Sequence, residues 1–200
     1  MTDIVTIGSG WTDEHIGKHK DRLPDMRSMM FYGSRVSDKG VEMLSACRNL
    51  QELHLMGTSI TDKALEHIGE LTSLRWLALD AARVTDKGIE QLTSLKKLNG
   101  LHLVETDVTA KGLEVLFNFP ELNYLEATGL DLGKTGFSTI ANQPALHVLR
   151  VASRTANDTE FLDLGFSRSL LSVSYDLPRV TKEAEKELNQ RLKYCQLMRM

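Results

Sequence analysis

The side chains able to ligate a metal or attack a substrate are few and scattered: the 200 residues hold six histidines and two cysteines. His15-Ile-Gly-Lys-His19 sets two imidazoles on one face of a helix, a spacing that suits a metal pair. The glutamate that a helical zinc protease motif carries beside its first histidine is missing, and no third ligand stands nearby. Two surface histidines are therefore the simpler reading. His54 and His102 occupy equivalent positions two repeat units apart, which on adjacent strands is ~10 Å and too far for one zinc with bonds of ~2 Å. Cys47 and Cys195 lack a marked histidine partner, and Cys47 is expected to pack between repeats. Gly8-Ser-Gly10 is followed by no Gly-Lys-Ser/Thr, so it is no phosphate loop. These residues point away from catalysis, with no cofactor and no metal expected.

Recognition is better supplied. Nine residues, Tyr32, His54, Met56, Trp76, Asp80, His102, Tyr124, Glu126 and Arg150, fall between the leucines of a pattern that recurs every 24 residues. Trp, Tyr and Met are enriched at protein interfaces, and Trp and Tyr dominate their hot spots. Side chains alternate along a strand, so these residues form columns on the face opposite the leucines. One column runs Ser28, Glu52, Trp76, Gly100, Tyr124, Val148, Ser172. The next runs Met30, His54, Ala78, His102, Glu126, Arg150, Ser174, and the third Tyr32, Met56, Asp80, Val104, Thr128, Ala152, Asp176. Glu52, Asp80 and Glu126 against Arg150 make the patch lean acidic, which favours a protein or peptide partner with basic groups and argues against nucleic acid.

The elements that hold these columns follow from the apolar repeat. Met26, Leu50, Leu74, Leu98, Leu122, Leu146 and Leu170 start it. Met29, Leu53, Leu77, Leu101, Leu125, Leu149 and Val173 lie three residues on, followed by Phe31, Leu55, Leu79, Leu103, Ala127, Val151 and Tyr175. The first half of each unit alternates apolar and other residues and reads as a strand with one buried face. The second half turns to helical spacing, with inward pairs such as Val41/Leu44, Leu65/Ile68 and Phe161/Leu164. Ser37, Thr61, Thr85 and Thr109 precede these helices as N-caps, and Asp38, Asp62 and Asp86 place negative charge at their N-termini. Gly40, Ala64, Gly88, Gly112 and Gly136 stand in the first turn, where glycine costs roughly 0.5–1 kcal/mol. Something must pack there too closely for a side chain, and the adjoining turn is the expected neighbour. Lys39, Lys63, Lys87 and Lys111, each three residues before a Glu, read as a solvated outer face.

The expected division is a degenerate first repeat over residues 1–25, a regular array over 26–180 and a terminal capping helix over 181–200. Trp11-Thr-Asp13 echoes Val36-Ser-Asp38 at an offset of 25, one residue more than the repeat. The pattern weakens after residue 128, where a less regular outer side is expected. In the last segment Thr181 caps a helix whose apolar stripe is Ala184, Leu188 and Leu192.

The form L-x-x-L-x-L-x-x-(T/S)-x-(V/I/L) at this period is that of leucine-rich repeats, and the chain resembles that superfamily over nearly its full length. Ile60-Thr-Asp-Lys-Ala-Leu and Val84-Thr-Asp-Lys-Gly-Ile look like the T-D-x-G-L run of the cysteine-containing, F-box-associated subclass, and Ser45-Ala-Cys47-Arg-Asn-Leu50 is similar to its G-C-P-N-L. The asparagine usual after the strand is Ser34, Thr58 or Thr106, a hydroxyl able to meet some of the same backbone groups. The resemblance implies an α/β solenoid, with a curved parallel sheet lining the concave side, short helices outside and a role in protein interaction. No F-box precedes the repeats, so ligase functions are not carried over.

Composition fits this picture. Hydrophobic residues are 42% and the formal net charge is −3, which gives no push toward nucleic acid or an anionic membrane. No run of ~18 apolar residues and no signal-like start occur, and the cysteines lie far apart in sequence, so a cytoplasmic, reduced protein is expected. The expected function is a non-catalytic protein-binding scaffold using its concave sheet. The alternative is a structural subunit that uses its helical side or an end.

Overall fold

The computed structural model describes residues 4–7, 10–80 and 82–200. Among these, nine strands form one parallel sheet in sequence order. They are β1 (Ile4–Ile7), β2 (Ser28–Tyr32), β3 (Glu52–Met56), β4 (Trp76–Ala78), β5 (Gly100–Val104), β6 (Tyr124–Thr128), β7 (Val148–Ala152), β8 (Ser172–Asp176) and β9 (Gln196–Arg199). Every pairing keeps the 24-residue register, from Ile4↔Ser28 to Ser172↔Gln196. This is a leucine-rich repeat solenoid, with the sheet on one side and short helices on the other. The sheet-facing leucines and the helical pairs meet between them in one continuous core that runs from Ile16 to Cys195. Each fully buried Leu is worth ~1.5–3 kcal/mol, and each layer packs only on its neighbours.

The helical side carries α1 (Asp13–Lys18), α2 (Asp38–Leu44), α3 (Asp62–Ile68), α4 (Asp86–Ile89), α5 (Gly136–Ala141), α6 (Asp158–Leu162) and α7 (Lys182–Arg191). Irregularity on this side starts earlier than the sequence suggests. Residues 112–118 form a 3-10 helix throughout, and α4 gives way to one over 90–94. Asp13 and Asp38 open α1 and α2 at an offset of 25, while β1 and β2 pair at 24, so the shift in the first unit spares the strand. The last segment is more than a helix: after α7, residues 196–199 add β9 to the sheet. The outer Lys–Glu pairs close no salt bridge among the described residues; Arg48 instead reaches Glu70 of the next unit at 3.1 Å.

The aspartates do more than favour a helix N-terminus. Asp62 Oδ1 accepts the Thr85 backbone N–H and its Oδ2 accepts the Thr85 hydroxyl, both at 2.7 Å. The same two bonds link Asp13 to Ser37, Asp38 to Thr61, Asp86 to Thr109 and Asp158 to Thr181. Each cap hydroxyl also accepts an N–H of its own first turn, as Thr85 does from Lys87 at 3.3 Å. A carboxylate ladder therefore ties each helix start to the next and lapses only where Ala110 and Lys134 replace the acid. It also explains Gly40, Gly88 and Gly112: a Cβ on Gly88 would lie 2.3 Å from Asp62 Oδ1, and one on Gly112 equally close to Asp86 Oδ1. For these three the close neighbour is the preceding unit's carboxylate, whereas Gly136 stands against Leu132 of its own unit. The turn hydroxyls correct another expectation: Thr58 makes one long bond to the Leu55 carbonyl at 3.4 Å, while Ser34 Oγ and Thr106 Oγ1 are buried without partners.

Candidate functional site: the concave face of β3 to β7

The columns stand as the strand register dictates. Trp76, His102 and Tyr124 meet on the open face, with ring centroids 5.1 Å apart for Trp76–His102, 5.2 Å for Trp76–Tyr124 and 5.1 Å for His102–Tyr124. Gly100, between Trp76 and Tyr124 in the first column, makes this possible. A Cβ there would fall 2.2 Å from the Trp76 ring, so the indole lies over bare backbone and reaches the ring two strands away. All three side chains are half-buried.

Glu126 braces the cluster from the next strand. Its Oε2 receives His102 Nδ1 at 3.1 Å and the Tyr124 hydroxyl at 3.1 Å, with Arg150 Nη1 at 3.9 Å. Burial depresses the His102 pKa against the pull of Glu126, helped by His54 and Arg150. The shift favours the neutral ring, in which a proton on Nδ1 would face Glu126. Its Nε2 is shut from solvent and without a partner. Burial likewise raises the Tyr124 hydroxyl, with Glu126 adding to it, so this group stays protonated and donates.

Asp80 differs from Glu126. Its backbone carbonyl accepts Gly57 N at 3.0 Å, but carboxylate Oδ1 is buried and unpartnered. Burial first, then the negative charges of Glu126 and Glu105, push it up to about 6. Arg150 is exposed and also contacts Met200 Sδ at 3.4 Å. His54 and Met56 are half-buried on β3; burial lowers His54 while Glu52 opposes it. Tyr32 is exposed at the N-terminal margin, its hydroxyl against Met30 Sδ at 3.5 Å. The face thus brings Trp76, His102, Tyr124, Glu126 and Arg150 into contact and leaves Tyr32 apart from that cluster.

Two residues that the sequence did not mark also belong here. Gly100 is the cradle for Trp76. Glu105 follows β5 with φ +52°, a left-handed conformation that glycine supplies at the equivalent Gly33, Gly57 and Gly129. Glu105, Asp131 and Asp176 border a depression of about 780 Å³ at the turn edge of the sheet, together with Arg154 and Thr128. Glu105 was visible in principle, as the one charged residue in the column Gly33, Gly57, Ala81, Glu105, Gly129, Ser153, Leu177.

His19 Nδ1 is held by the His15 carbonyl at 2.8 Å and His15 Nδ1 lies 2.9 Å from Thr12 Oγ1, while Trp11 meets both rings at a tilt. Gly8 and Ser9 lie outside the described residues. Cys47 and Cys195 are buried free thiols that burial pushes up to about 11, which makes them poor nucleophiles. Among the described residues no three His, Cys, Asp or Glu side chains group as metal ligands, and no helix is long and apolar enough to cross a membrane.

No family model matches the chain, and no curated protein sequence does. Among solved structures, an internalin (inlF) of Listeria monocytogenes is similar at a TM-score of 0.65 and 22% identity, over 88% of this chain and 48% of that one. The chain spans about half the length of that structure, and at this identity the likeness is one of fold. The F-box-associated resemblance rests on the quoted residues alone.

Proposed function

We propose that the chain is a non-catalytic scaffold that binds a protein or peptide on its concave face, at Trp76, His102 and Tyr124. The observation that carries this reading is the half-buried aromatic trio, in which His102 stacks on Tyr124 and Trp76 meets both rings at a tilt. Its rings are fixed in place by Gly100 and Glu126 rather than sunk in the core, which lowers the entropy lost when a partner docks. Asp80, Glu52 and Glu105 give the surroundings a negative bias, so the partner carries basic groups and is neither nucleic acid nor membrane. In this reading segments 1–25 and 181–200 close the two ends of the array, and the free thiols suit a reducing, cytosolic setting.

The helical side supports a second reading, in which the chain is a subunit of a larger assembly. Phe117 is 52% and Phe166 68% exposed there, each fractionally more exposed than any of the half-buried trio. The two readings separate in one experiment. Purify the chain with its bound partner from native lysate and measure that partner's affinity for Trp76→Ala, Tyr124→Ala and Phe166→Ser. The concave reading expects losses of ~2 kcal/mol or more for the first two and little change for the third. The reverse pattern moves the site to the helical side.

A further inference from the structure

We propose that Asp80 and His102 form a subsite for one lysine or arginine side chain of an extended peptide lying across the aromatic trio. This rests on the concave face being the binding face and adds which group reads the partner's charge. The acids of this face are not equivalent. Glu126 is occupied: its Oε2 accepts the Tyr124 hydroxyl and lies 3.1 Å from His102 Nδ1 and 3.9 Å from Arg150 Nη1. Asp80 has no salt bridge or side-chain hydrogen bond among the described residues, and its Oδ1 is sealed from solvent without a donor. His102 Nε2, one column over on the neighbouring strand, is in the same state. Asp80 Oδ1 is an acceptor, and so is His102 Nε2 in the tautomer that turns its N–H to Glu126, so the group that satisfies them is rich in donors, and lysine and arginine carry donors only.

Charge selects the same occupant. Glu105 and Glu126 act on Asp80 with like charge, and Glu105, Asp131 and Asp176 continue the negative field along the turn edge against Arg154. A cation placed here relieves that repulsion, whereas a carboxylate adds to it. The long apolar stem of either basic residue can lie on the Trp76 and His102 rings, and a cation near an indole face gains further attraction. Glu105 adds an independent sign: it holds the left-handed backbone that glycine supplies at Gly33, Gly57 and Gly129, and strained backbone of this kind collects at ligand sites.

The test uses a phage-displayed library of random linear peptides, panned on the full chain and on Asp80→Asn and Trp76→Ala. Peptides selected by the wild type are expected to be enriched in Lys or Arg and to depend on Trp76. A selected peptide should lose about tenfold in affinity for Asp80→Asn, the size of one hydrogen bond to a charged group. Replacing its basic residue by norleucine should cost the wild type a similar factor and cost Asp80→Asn little, because the two changes remove one interaction. Trp76-dependent peptides without that enrichment, or ones that bind Asp80→Asn as tightly as wild type, overturn the Asp80 subsite and leave the concave face standing. A library with no Trp76-dependent binder overturns both.

Discussion

Asp62→Ala tests what couples one unit to the next. The substitution removes the two bonds to Thr85, both 2.7 Å long, and the negative charge at the start of α3. A hydrogen bond to a charged group is worth ~1.5–3 kcal/mol, and a charge at a helix N-terminus ~0.3–1 kcal/mol. Asp62 and Thr85 are half-exposed, so water recovers part of this, and the expected loss is ~2–3 kcal/mol rather than the sum. Equilibrium urea unfolding reads it directly: at a slope of ~2–3 kcal/mol/M the midpoint should fall by about 1 M. Glu66→Ala, one turn along on the exposed face of α3, should stay within ~0.5 kcal/mol. Thr85→Val keeps the N–H bond to Asp62 but loses the hydroxyl bond and the cap accepted from Lys87, and the double variant should fall short of the sum. If Asp62→Ala is no worse than Glu66→Ala, the ladder is a by-product of packing and contributes nothing to the coupling between units.

Three further outcomes follow from particular side chains. Gly100→Ala drives a methyl into the Trp76 ring; the chain should remain folded by far-UV circular dichroism while its near-UV aromatic signal changes, and an unchanged near-UV spectrum would show that Trp76 does not lie over Gly100. Asp80 has a folded-state pKa near 6, above its ordinary 3.8, so the folded state holds this proton more tightly than the unfolded chain and stability falls as pH rises through that window. Asp80→Asn should therefore melt above the wild type at pH 7, with the gap closing below about pH 4; equal melting temperatures at pH 7 would remove the buried, unpaired carboxylate from the account. Leu101→Ala at the centre of β5, buried at 0% exposure, should cost ~2–5 kcal/mol, and a loss below 1 kcal/mol would mean that the layer is not close-packed.

Much of the fold was open to reading because a parallel sheet with a fixed period leaves no freedom of register. Once Leu53, Leu77 and Leu101 align at 24 residues, the residues between them must form columns, and the observed pairs Glu52↔Trp76 and His54↔Ala78 are those columns. β9 escaped because its unit has lost the signal: Tyr194 and Arg199 stand where leucine-type residues recur, and only Leu197 keeps its place. The ladder escaped for another reason. Thr-Asp at a helix start is explained by local capping alone, and nothing local reveals that the acid turns toward the following unit. At the site, spacing brought Trp76, His102 and Tyr124 together and set Glu126 beside Arg150 and His102 as a lateral ion pair. That the Tyr124 hydroxyl also turns to Glu126 while Asp80 keeps no side-chain partner depends on side-chain reach, which spacing does not show. Gly100 looked like a gap in a column, and only the indole lying over it shows that the gap is used.

The central claim is that partners dock on the sheet, and photo-crosslinking places the contact without removing the aromatic trio. Benzoylphenylalanine is introduced singly at His54 and Val104, which flank the trio on β3 and β5, and at Lys63 and Phe166 on the helical side. Each variant is irradiated with the co-purified partner. The account predicts covalent adducts from positions 54 and 104 and none from 63 and 166. Adducts confined to 63 and 166 would contradict it.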